Sequence, residues 1–149
     1  MSVVDRTVPD VTQTYHPWRI LRHMPHIDVQ WVPLPDGVLA HCDGETIWMD
    51  HRQGQAQRRS SVAHEIEHLH AGDTTCQPGA VERQVEEAAA RKLVPLVALA
   101  EAIVWAMSEE ELALDLWVDL DVVRTRLATL TKDEQAYIDD VIARREEAL

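Results

Sequence analysis

Val62-Ala63-His64-Glu65-Ile66-Glu67-His68-Leu69 is the stretch on which the reading of this chain turns. Val62, Ile66 and Leu69 recur at i, i+4 and i+7, which makes one apolar stripe along a helix. His64 and His68 are four apart, so a helix sets both imidazoles on one face, one turn apart, where they can grip a single ion. Glu65 lies beside that face. The pattern His-Glu-x-x-His on a helix joins two metal ligands to a carboxylate that takes a proton from a water activated by the ion. The competing account is a solvated histidine pair at the rim of the core, and eight histidines in 149 residues give chance some room. Against it, the apolar stripe is directed away from the pair, so the core does not need these histidines.

Two ligands are too few, because catalytic zinc takes three protein ligands and leaves a position open. Carboxylates on the next helix are the candidates. Glu82 and Glu86 share a face, and Glu87 points about 100° away from Glu86. A second helix crossing the first brings Glu82 to the metal and lets Glu86 accept a hydrogen bond from a ligand histidine, as an outer partner of the site. A solvated acidic face is the alternative. His70 is turned about 200° from His68 and reads as surface. Cys76, in the next loop, is either an ordinary loop thiol or a residue that blocks the metal at rest. His41 and His51 flank a strand near the site, as exposed polar residues or substrate contacts.

Outward from this helix the chain reads as α+β. Residues 1–15 are a polar tail. Pro17 opens a short helix over residues 18–22. Residues 26–32 alternate apolar and polar, with Ile27, Val29 and Trp31 on one side, and predict a strand that Pro33 and Pro35 stop. Residues 38–42 and 45–49 flank Asp43-Gly44, a hairpin signal. A small antiparallel sheet of three strands is therefore expected, with strand 45–49 as an edge open to an extended peptide. Gly72 caps the helix that begins at Gln55. Further helices are expected over 80–93, 96–107 and 119–130, after the Ser108 cap, and from Thr131, whose Glu134 completes a capping box. The division expected is residues 1–95, a minimal metallopeptidase-like core with its tail, and residues 96–149, a helical subdomain packed on it. Trp105, Trp117, Val122, Val123 and Leu127 read as core of that subdomain, or as a docking face for a partner.

The formal charge is −12, and residues 101–149 carry thirteen acids against five bases. Such a surface repels phosphate backbones, so direct nucleic-acid binding is not expected. Two cysteines make no disulfide scaffold. Residues 93–100 form the longest apolar run, far short of the ~18 residues that span a bilayer. With no leader-like segment at its start, a cytoplasmic setting, free thiols and a monomer or weak dimer are expected.

Residues 57–95 resemble the ImmA/IrrE-type metallopeptidases of bacteria and their mobile elements, phages among them. The resemblance is carried by Arg58-Arg59-Ser60-Ser61-Val62-Ala63-His64-Glu65-Ile66-Glu67-His68 and by Glu82-Arg83-Gln84-Val85-Glu86-Glu87-Ala88-Ala89-Ala90-Arg91-Lys92-Leu93-Val94-Pro95. The hairpin ending Thr46-Ile47-Trp48-Met49-Asp50 fits the same layout. By this likeness His64, His68 and Glu82 hold Zn2+, Glu65 is the catalytic base and Glu86 the outer acid. Gln84 stands where many members carry Glu, Glu86 replaces their Asp or Asn, and Glu67 replaces a small residue, either narrowing the cleft or facing solvent. The likeness implies a regulatory protease that cuts a DNA-binding repressor. The alternatives are a catalytically silent module of the same fold that sequesters a regulator, and a structural zinc site built from Cys42, Cys76, His64 and His68.

Overall fold

Local sequence sets the helix ends first. In the computed structural model, which describes residues 15–73 and 78–149, the elements are α1 (Pro17–Arg22), β1 (Asp28–Val32), β2 (Ala40–Cys42), β3 (Thr46–Asp50), α2 (Gln55–Ala71), α3 (Gly79–Leu93), α4 (Leu96–Ile103), α5 (Glu109–Leu116), α6 (Leu120–Ala128) and α7 (Lys132–Glu147). Gly72 closes α2 in the left-handed region, at φ 76°. The Ser108 hydroxyl accepts from the Glu111 amide to start α5. Thr131 and Glu134 form the expected capping box on α7. α4 stops at Ile103 rather than 107, because the Met107 amide donates to the Glu111 carboxylate and Ser108 is extended.

The architecture is α+β, but the sheet is mixed rather than wholly antiparallel. Its strand order is β1-β3-β2. β2 pairs antiparallel with β3 around Asp43-Gly44, as the hairpin signal predicts, and Asp43 Oδ1 accepts from the amides of Glu45 and Thr46. β1 instead pairs parallel with β3, Val29 opposite Ile47. The reason is topological. A hairpin fixes only its own two strands, while the segment after β1, with Pro33 and Pro35, carries the chain across to the far side of β3. β3 is therefore central, so strand 45–49 is not an edge; among the described residues the edges are β1 and β2.

Two apolar clusters meet on α2. Val62 and Ile66 pack with Ile47, Met49, Cys42 and Leu21, between the sheet and α1. Ala63 joins Leu93 and Val94 at the end of α3 and Leu99, Val123 and Ile138 of the C-terminal helices. The helix that carries the site is thus gripped from both sides. Among the described residues, no helix is long and apolar enough to cross a membrane.

Candidate metal centre

α2 and α3 pack side by side, which puts the His64-His68 face of one helix against Glu82 on the first turn of the other. His64 Nε2 lies 2.8 Å from Glu82 Oε1, His68 Nε2 lies 3.2 Å from the same oxygen, and the two Nε2 atoms are 3.1 Å apart. Ligands held tetrahedrally at about 2.0–2.1 Å from a zinc ion are roughly 3.3–3.4 Å from one another. The three donors fit that spacing with slight contraction, and these three residues could hold a metal ion. Two imidazoles and a carboxylate are a donor set that divalent transition ions accept, zinc and iron among them. Among the described residues, no Cys belongs to the cluster. Cys42 is buried in the sheet core and burial raises its thiol pKa, which disfavours the thiolate that a metal needs. Cys76 lies outside the described residues.

Burial sets the electrostatics. It lowers the His64 pKa in spite of the Glu82 carboxylate, which favours the neutral, ligating imidazole. At His68 burial opposes protonation, but the Asp73 and Glu82 carboxylates outweigh it and the pKa rises. Glu65 is 6% exposed, and desolvation pushes its pKa up to about 7. A carboxyl poised near neutrality can both accept and return a proton.

The triad and Glu65 open onto a cleft of about 720 Å³. Residues 37–42, including β2, line it together with α2, with Glu86 and Ala89 of α3, and with Asp121, Val122 and Thr125 of α6. The C-terminal helices therefore supply one wall of the cleft, which sequence reasoning assigned only to core or docking. Among the described residues β2 leaves one edge unpaired here. Leu39 and Asp43 hydrogen-bond to Asp50 and Thr46 of β3, so the alternation of an antiparallel ladder turns the peptide groups of Ala40 and Cys42 away from β3.

Glu86 lines the cleft and is exposed, and it makes no hydrogen bond with either imidazole among the described residues. The outer partner seen is Asp73, whose Oδ2 lies 2.9 Å from His68 Nδ1. The sequence signal for it was Gly72, since the residue after a capping glycine folds back over the last turn. Glu67 neither narrows the cleft nor faces solvent: it is buried and pairs with Lys92 of α3 at 2.5 Å. His70 is exposed. His41 lines the cleft, stacked on Trp48 with ring centroids 5.5 Å apart, and His51 does not.

Comparison of the chain with protein-family models, with curated proteins and with solved structures finds no match. The functional reading therefore rests on the geometry and on the motif.

Proposed function

We propose that this protein is a zinc-dependent endopeptidase that works in the cytoplasm, with His64, His68 and Glu82 as ligands and Glu65 as general base. The observation that carries the reading is the convergence of three ligand atoms from two helices within 2.8–3.2 Å, beside a buried carboxylate. A bound zinc would supply Lewis acidity and lower the pKa of a water to roughly 7.

The remaining work falls to side chains and backbone. Glu65 takes a proton from the attacking water as its oxygen bonds to the scissile carbonyl carbon, and returns a proton to the amine as the carbon–nitrogen bond breaks. The free edge of β2 offers the peptide groups of Ala40 and Cys42 to an extended chain, which would lie along the cleft as an added strand. The acid excess of the chain and the carboxylates of Glu86, Asp119 and Asp121 in the cleft lining, which outnumber Arg124 there, suit a basic partner, such as a DNA-binding repressor.

The test is Glu65→Gln in purified protein with an unstructured, lysine-rich polypeptide and with candidate repressors. Cleavage should fall at least ~100-fold while zinc content is unchanged. Zinc retained with no cleavage by the wild type, together with partner binding that survives Glu65→Gln, would replace the peptidase reading with the sequestering module.

A further inference from the structure

The helix terminator and the metal ligand are joined through one residue. At the end of α2 the chain turns back at Gly72, whose amide bonds to the Leu69 carbonyl at 3.1 Å. The next amide, that of Asp73, bonds to the His68 carbonyl at 3.0 Å. The same Asp73 places its carboxylate Oδ2 2.9 Å from Nδ1 of His68. Asp73 thus holds His68 twice, by backbone and by side chain. The side-chain contact is sheltered, with Asp73 15% and His68 11% exposed.

We propose that Asp73 is the positioning residue of the metal centre: delivered by the capping turn at Gly72, it fixes the ring and tautomer of His68. This rests on the zinc reading above. A carboxylate only accepts hydrogen bonds, so Nδ1 of His68 carries the proton. In the neutral ring the lone pair then belongs to Nε2, the atom that faces His64 and Glu82. The carboxylate also makes that nitrogen more basic. The left-handed turn is what allows this. At Gly72 φ is +76°, a value at which a residue with a side chain is strained, so the chain reverses here at little cost and aims residue 73 back at residue 68. Glu86, on α3, has no such tether and makes no hydrogen bond with either ring among the described residues.

The experiment is competitive zinc titration of the full chain with a chromophoric chelator, for wild type, Asp73→Asn and Asp73→Ala, with unfolding of each metal-free protein as the folding control. Asp73→Ala should bind zinc about 10–100-fold more weakly, and Asp73→Asn, whose amide oxygen still accepts but carries no charge, should fall between. Proton NMR of the zinc-loaded forms adds a readout that folding alone does not move: a protected His68 Nδ1–H in wild type, lost in Asp73→Ala. A wild type that takes up no zinc overturns the peptidase reading and this inference together. Zinc uptake by wild type with Asp73→Ala or, should that fail to fold, Asp73→Asn inside about twofold of it overturns this inference alone.

Discussion

The Ser61 hydroxyl donates a 2.6 Å hydrogen bond to the side-chain oxygen of Gln53, eight residues earlier, with both groups buried. The amide nitrogen of Gln53 in turn donates to the carbonyls of Leu39 and Asp50, at 2.7 and 3.0 Å. One amide thus ties the segment leading into β2, the end of β3 and the site helix α2 together at the cleft. Gln53→Ala removes all three bonds and strands a buried hydroxyl. Urea unfolding should register a loss of about 2–3 kcal/mol. A loss below about 0.5 kcal/mol would mean the contact holds nothing in place.

Glu134 gathers more partners than any surface acid needs. It accepts from Arg126 and Arg91, each at 2.8 Å, and from the Thr131 amide at 3.0 Å. Arg126 is only 2% exposed, so its charge depends on this carboxylate. Glu134→Gln should cost about 3 kcal/mol at neutral pH, because a buried guanidinium loses its counter-charge. The Arg126 hydrogen bond, first among the causes, pulls the Glu134 pKa from 4.5 down to about 2. A depressed carboxylate contributes stability that is complete above the unfolded value of 4.5 and disappears as pH falls towards about 2. Unfolding measured at pH 7, 4.5 and 3 should show the gap between wild type and Glu134→Gln narrowing through the acid range. A constant gap would contradict the assignment.

The open edge of β2 gives a third test. The Ala40 amide points away from β3, so Ala40→Pro removes no ladder bond but deletes one donor to a bound peptide. Peptide kcat/KM should fall about tenfold, equivalent to about 1.4 kcal/mol, with zinc affinity unchanged. Unaltered cleavage would remove β2 from the substrate site.

Much of the site was legible because its determinants are local. The spacing of His64 and His68 needs only a helix, and Gly72, Ser108 and Thr131 mark helix ends through their own backbone geometry or hydroxyls. Glu82 was legible as one of a small set of acids on the next helix, since α3 had to pack on α2. The β2–β3 hairpin was legible from Asp43-Gly44, but the place of β1 was not, because the parallel partnership of Val29 with Ile47 joins segments that no turn connects. Asp73 was missed for a different reason. Attention to helix faces selects residues at spacings of three and four, and Asp73 reaches His68 from five positions on, after the helix has ended. The α6 wall, with Val122 and Thr125, depends on how the C-terminal helices dock against α3, which periodicity alone does not specify.

The most direct measurement is metal content, by mass spectrometry, of the full chain purified without added chelator, beside Glu82→Ala and His64→Ala. The account predicts one zinc per wild-type chain and loss of most of it in both variants, with thermal unfolding of wild type raised by added zinc. A wild-type chain that is well folded yet carries no divalent ion, and takes up none on titration, would contradict it.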